Sequence, residues 1–182
     1  MGVNEPTMRF IKSFIFGLTG LFVFATLLSL LIPFHIKISR VVVINTTPDK
    51  VYPQVINLRK WKNWHPLFKM DSAVIVYSGS PGGADQECTI QYNNRSTKLH
   101  IESVDSAGIK FLLQSDGEND IQNEISLHQV ADQPGVEVEW KATVHLRWYP
   151  WEKVFGIFLD KIAGPGYEAA LNGLKGYFEA GR

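Results

Sequence analysis

Hydrophobic and polar positions follow three rhythms along this chain, and each predicts a different element. From Ser13 to Phe34 no charged residue appears, and Phe, Leu, Val and Ile cover every face. At about 1.5 Å per residue such a run spans roughly 30 Å, the hydrocarbon thickness of a bilayer. A soluble helix would keep a polar face. A cleavable signal would have a shorter apolar core, about 7–15 residues, and a small-residue cleavage site. Here the run closes on Leu30-Leu-Ile-Pro-Phe-His35 instead. The expectation is an uncleaved transmembrane anchor over residues 14–34, from Phe14 to Phe34. Myristoylation is disfavoured, because Pro6 stands where that signal wants Ser or Thr.

The second rhythm has period two. Val136, Val138, Trp140, Ala142, Val144 and Leu146 alternate with Glu137, Glu139, Lys141, Thr143, His145 and Arg147. One face of such a strand is buried and the other wet. Ile121, Ile125 and Leu127, and Ile109, Phe111 and Leu113, repeat the pattern. Turn clusters punctuate the region: Ser80-Pro-Gly-Gly83, Asn93-Asn-Arg-Ser96, Asp105-Ser-Ala-Gly108, Asp116-Gly-Glu-Asn119 and Asp132-Gln-Pro-Gly135. Their spacing predicts a six-strand antiparallel meander, and residues 39–45 add a seventh strand before it.

The third rhythm is helical. Thr47-Pro48 is a cap followed by a first-turn proline, and Val51, Tyr52, Val55 and Leu58 form an apolar stripe. Trp61 and Trp64, at i and i+3, share a helical face, where they pack as a corner against the sheet or line a pocket mouth. Residues 152–179 carry Phe155, Phe158, Leu159, Ile162, Tyr167, Ala170, Leu171, Leu174 and Phe178. Gly164-Pro165-Gly166 interrupts that stripe, and a proline inside a helix predicts a kink or break. It serves either as a static bend fitted to a curved sheet or as a hinge that gates a ligand path. Trp148-Tyr149-Pro150-Trp151, between the last strand and this helix, reads first as a packed elbow and otherwise as an aromatic tip in a membrane interface.

Composition narrows the partners. The chain has 182 residues, with 18 Lys and Arg against 18 Asp and Glu, and no basic run interleaves with the aromatics. Nucleic acid is therefore not an expected partner. Residues 37–182 suffice for one domain with a real core. The organisation expected is a tail and anchor over 1–36 and one domain over 37–182. Arg9 and Lys12 before the run balance Lys37 and Arg40 after it, so charge barely orients the anchor. The simplest insertion leaves the short tail in the cytosol and the domain extracytoplasmic. The single Cys88 cannot form an internal disulfide and suits either compartment.

The order of elements, together with Val43-Ile-Asn-Thr-Thr-Pro-Asp-Lys-Val-Tyr52, Trp61-Lys-Asn-Trp64-His-Pro66 and Gly173-Leu-Lys-Gly-Tyr-Phe-Glu179, resembles the SRPBCC superfamily. That superfamily includes START-like lipid-transfer and polyketide cyclase/dehydrase-like domains. The resemblance covers roughly residues 37–180 and does not include the anchor. It implies an α+β helix-grip fold: a seven-stranded curved antiparallel sheet around a long C-terminal helix, with two short helices after the first strand. It also implies a hydrophobic cavity between sheet and helix. Strand parity offers Tyr92, Phe111, Asn123 and Trp140 as ligand-binding candidates, with Phe158 and Ile162 from the helix. For any one of them, plain core packing is the alternative. The buried polar ends of Tyr92, Asn123 and Trp140 need partners, which a ligand or water could supply.

Catalytic signatures are sparse. There is no Gly-x-Ser-x-Gly elbow, phosphate loop, dinucleotide fingerprint or His-Glu-x-x-His, so neither a cofactor nor a metal is expected. His35, His65, His100, His128 and His145 show no ligand spacing; the last three fall on outward strand positions. Glu87 and Glu102 also point outward, and Cys88 points inward as a small hydrophobe. Three readings follow. One is a membrane-tethered binding or carrier module for a hydrophobic or amphipathic, lipid-like small molecule. The alternative is a cyclase-, dehydrase- or hydrolase-type enzyme using Tyr92, Asn123 or a histidine in the same cavity. A third is a collapsed cavity on a domain that meets a protein partner through its surface.

Overall fold

The computed structural model describes residues 5–131 and 135–180. The turn expected at Asp132-Gln-Pro-Gly135 falls, apart from Gly135, outside the described residues. The order is α1 (Glu5–Ser29), β1 (His35–Ile44), α2 (Pro48–Val55), two 3-10 helices (Leu58–Asn63 and Pro66–Lys69), and six strands. These are β2 (Val74–Ser78), β3 (Glu87–Tyr92), β4 (Arg95–Asp105), β5 (Gly108–Ser115), β6 (Ile121–Gln129) and β7 (Val136–His145). Helices α3 (Pro150–Gly156) and α4 (Leu159–Glu179) close the chain. All pairings are antiparallel, in the order β1-β7-β6-β5-β4-β3-β2. This is the α+β helix-grip fold, with short helices after β1 and an apolar helix ahead of the sheet.

Alternation decides which face of the sheet is covered. Cys88 and Ile90, Leu99 and Ile101, Ile109 and Phe111, Ile125 and Leu127, and Val136, Val138 and Trp140 are all buried on one face. The register shifts between Ile101 and Ser103, leaving Glu102 as an extra residue that bends β4. Asn93 and Asn94 both take positive φ, 46° and 63°, and close the β3–β4 hairpin tightly. Helix α4 crosses the apolar face, burying Ala170, Leu171 and Leu174 against it. Val51 and Val55 of α2, with Trp61, Trp64 and Phe68, fill the remainder of the core.

Two glycines let α4 come this close. A side chain at Gly173 would run into the Trp64 carbonyl, and one at Gly164 into the Arg40 guanidinium. Arg40 lies on the covered face of β1 and donates to Asp160 of α4 at 3.0 Å, so it ties sheet to helix.

Three expectations are corrected. The anchor's helix stops at Ser29, not Phe34. Leu30, Leu31 and Ile32 wind out through bonds to carbonyls three residues back, and Pro33 then leads into β1, which starts at His35. The segment long and apolar enough to cross a membrane is Phe10–Ser29. Second, α4 runs unbroken through Gly164-Pro165-Gly166, and the break lies at Ile157 and Phe158 between α3 and α4. Pro165 is exposed, as is Lys161, the residue whose carbonyl it deprives of a donor, so water can replace that bond. Third, Trp148 and Trp151 do not pack into an elbow: they are 62% and 63% exposed, and Trp151 stacks on Tyr149.

Candidate functional site

Between α4, the second 3-10 helix and the sheet lies a cavity of about 590 Å³. That lies within the range of roughly 300–1,000 Å³ common to small-molecule sites. Each wall comes from a different rule of local structure. Parity places Leu99, Phe111, Leu113 and Trp140 on the sheet side, with Leu99 directly paired to Leu113 across β4 and β5. Trp61-to-Met70 chain supplies Trp61, His65, Phe68 and Met70, and Met70, 37% exposed, marks the rim. Helix α4 contributes Ala163, Gly166, Tyr167 and Ala169. Small residues at 163, 166 and 169 keep space open where larger side chains would fill it.

The aromatic walls interlock mostly edge to face. Trp61 meets Phe111 at 5.5 Å and Trp140 at 5.8 Å between ring centroids, and Trp140 meets Tyr167 at 5.2 Å. His65 stacks on Trp61 at 5.4 Å with the planes 8° apart. Both indole N–H groups are satisfied within the protein: Trp61 Nε1 donates to the Val55 carbonyl at 2.9 Å and Trp140 Nε1 to Asn123 Oδ1 at 3.0 Å.

Two polar heads remain on the cavity wall. His65 Nδ1 accepts the Leu67 N–H at 3.2 Å, which leaves the ring proton on Nε2. Burial drives the His65 pKa down from 6.5 to about 3, so the imidazole is neutral at physiological pH. Burial pushes the Tyr167 hydroxyl up to about 12, which keeps it protonated. Among the described residues neither Tyr167 Oη nor His65 Nε2 meets a hydrogen-bond partner. The site therefore offers an aromatic, uncharged volume with two neutral hydrogen-bonding groups.

The model of a family described as "Polyketide cyclase / dehydrase and lipid transport" matches residues 35–179. The chain belongs to this family. Its fold recurs in solved structures of low sequence similarity. A protein from Nitrosospira multiformis superposes with a TM-score of 0.59 at 16% identity, covering 80% of this chain and 99% of that one. DynU16, from the dynemicin biosynthetic locus, gives 0.57 at 13% identity, covering 80% of this chain and 48% of its own. Ara h 8.0201 gives 0.53 at 12% identity, covering 80% and 99%. At these identities the likeness is one of fold. No curated protein matches the chain in sequence.

Within this family member the six candidates part company. Phe111 and Trp140 line the cavity. Asn123 is buried beside it with both amide atoms used: Oδ1 accepts from Trp140, and Nδ2 donates to the Ile121 carbonyl at 3.0 Å. The partner expected from a ligand or water is thus supplied internally. Tyr92 has inward parity but sits at the end of β3, next to the hairpin turn, and lines a polar surface hollow instead of the cavity. Phe158 and Ile162 are 51% and 58% exposed and lie away from the cavity. Ile162 precedes Leu171 by nine residues; at about 100° per residue that puts it on the opposite face of α4.

Sequence reasoning missed His65 and Tyr167 as wall residues. Tyr167 shares a face with buried Leu171 and Leu174, a signal that a narrower reading of the stripe would have picked out. Nothing local marks His65, whose role comes from the 3-10 fold of its segment. His100 and His145 do sit on the outer face; His100 lies 3.1 Å from Glu87. Cys88 is fully buried, its thiol pushed up to about 12 by burial. Among the described residues no group of three His, Cys, Asp or Glu could hold a metal ion.

Proposed function

We propose that this protein is a membrane-tethered binding or carrier module for a hydrophobic or amphipathic small molecule. The domain of residues 37–182 holds the ligand behind the anchor of residues 1–36, on the extracytoplasmic side. The observation that carries the reading is the cavity itself, walled by Trp61, Phe68, Phe111, Trp140 and Tyr167. A largely apolar body fits such walls, and an uncharged polar group can meet Tyr167 Oη or His65 Nε2. A charged headgroup would find no counter-ion among the lining residues.

The enzyme reading has less support from the same groups. A general acid or base works best with a pKa near the operating pH. His65 at about 3 and Tyr167 at about 12 lie far to either side. They suit hydrogen bonding to a ligand better than proton transfer. Native mass spectrometry and lipid extraction of the detergent-purified full-length chain test the proposal. The expected result is a co-purifying apolar molecule that is lost when Gly166, at the cavity wall, is replaced by Leu. A cavity that stays empty, and takes up no fatty-acid or polyaromatic probe, would overturn it.

A further inference from the structure

Helix α3 is amphipathic the wrong way round for a soluble domain. Its inward face, at spacing i, i+3, i+6, consists of Pro150, Lys153 and Gly156, all buried. Its outward face carries Trp151, Val154 and Phe155, which are 63%, 50% and 53% exposed. Ile157 and Phe158 extend that apolar surface beyond the helix, and Trp148 precedes it. In water, a contiguous exposed surface of this kind is costly, and it ordinarily marks a site covered by something else.

The neighbouring element indicates what covers it. Helix α1 packs against α3, and their junction is built from specific contacts. Lys153 is 1% exposed, and its Nζ donates at 2.7 Å to the carbonyl of Ile32, in the turn that ends the anchor. The same ammonium lies 3.3 Å from the centroid of the Phe34 ring, a cation–π contact. The Phe34 carbonyl accepts the Leu146 N–H at 2.8 Å, and Ser29, the last residue of α1, is buried. The end of the apolar helix is thus clamped to the inner side of α3 while the apolar side of α3 faces outward beside it.

We propose that α3 with its flanking residues Trp148, Ile157 and Phe158 forms an interfacial platform embedded in the same bilayer that α1 crosses. Helices that lie on membranes bury an apolar face about 5–10 Å into the headgroup and acyl boundary. Tryptophans are enriched at that level. Arg147 and Lys161, both exposed at the margins of the platform, supply cations for lipid phosphates. The buried Lys153 holds anchor and platform in one geometry, so the domain stands at a set orientation to the membrane instead of hanging on a free tether. The inference rests on α1 as a membrane span.

The test uses the full chain in single-copy nanodiscs of phosphatidylcholine and phosphatidylglycerol, with or without brominated acyl chains. Tryptophan emission from the native chain should be blue-shifted and quenched by the brominated lipid. That quenching should fall in a Trp148→Phe/Trp151→Phe variant, and the difference between the two proteins reports the platform, because Trp61 and Trp140 line the cavity and can be quenched by a lipid bound there. Quenching by iodide instead of lipid, or lipid quenching that is undiminished in the double variant, would overturn the platform while leaving the span intact. Iodide quenching in single-copy discs would also assign this face to water or to a second copy. Failure of the chain to enter the discs would overturn span and platform together.

Discussion

Trp140 of β7 and Asn123 of β6 form a diagonal pair across neighbouring strands, with the indole Nε1 donating to Asn123 Oδ1 at 3.0 Å. The bond lets a tryptophan present an apolar ring to the cavity while its one polar atom is satisfied inside the sheet. Trp140→Ala should cost about 3–5 kcal/mol in chemical denaturation, as for other large buried aromatics. Trp140→Phe should cost more than its lost volume suggests, because it leaves Asn123 Oδ1 unpaired, a penalty of about 1–3 kcal/mol. Adding Asn123→Leu to Trp140→Phe should recover part of that loss. A Trp140→Ala cost below about 0.5 kcal/mol would contradict the inward placement.

His65 makes stability depend on acid. Its folded pKa of about 3 lies below its unfolded value of 6.5, so below pH 6.5 the unfolded state takes up a proton that the folded state refuses. The stabilisation is complete above pH 6.5 and is lost as pH falls towards 3. Between pH 7 and 5 one such group accounts for about 2 kcal/mol. His65→Asn keeps an acceptor for the Leu67 N–H and should flatten this slope. Glu87 and Glu139, held below the ordinary carboxylate range by hydrogen bonds from Lys98 and Lys141, contribute equally to both proteins. Identical midpoints against pH for the two would remove His65 as the cause.

Gly164 and Gly166 should respond in opposite ways. A side chain at 164 meets the Arg40 guanidinium, whereas one at 166 meets nothing within 4 Å. Gly164→Ala should destabilise the fold by displacing Arg40 from Asp160. Gly166→Ala should stabilise α4 by up to about 1 kcal/mol through helix propensity alone. Thermal melts of the two variants measure the contrast, and a matched response would mean that Arg40 yields freely.

Where the chain is cut should decide how well the domain stands alone. Membranes washed with alkaline carbonate should retain the full-length protein through Phe10–Ser29. A fragment beginning at residue 31 keeps Ile32 and Phe34 against Lys153 and Leu146 and should fold, given a little detergent to cover the apolar side of α3. A fragment beginning at residue 37 also loses the His35–His145 pairing and strands the Lys153 ammonium without its acceptor. It should be less stable by about 1–3 kcal/mol or more in urea titration. Equal stability of the two fragments would show that the clamp contributes nothing.

Local pattern was enough for the strands, which rest on interactions between near neighbours, but it misplaced the end of α1 and the break between α3 and α4. The alternation from Val136 to Leu146 settles the faces of β7 whatever lies across from it. The charge-free run settles a membrane-length helix, and Thr47-Pro48 settles a helix start. The same parity put Phe111 and Trp140 on the cavity side before any contact was known. Parity also offered Tyr92, however, since it names a face and not how far along the strand the cavity extends.

What the sequence by itself determined is therefore the seven strands and their order, the inward face of each strand and the apolar character of the N-terminal helix. The tertiary structure alone decided the rest, because it depends on which distant surfaces compete for the same space. Only the packing of α4 against β1 shows that Gly164 makes room for Arg40 and that Pro165 turns to solvent without breaking the helix. Only the fold of residues 58–69 brings His65 into the cavity that Tyr167 also lines. Only the clamp of Lys153 on the Ile32 carbonyl turns the apolar side of α3 outward. A stripe of hydrophobic residues records that a surface must be covered, and the identity of the cover is set by geometry that no local pattern contains.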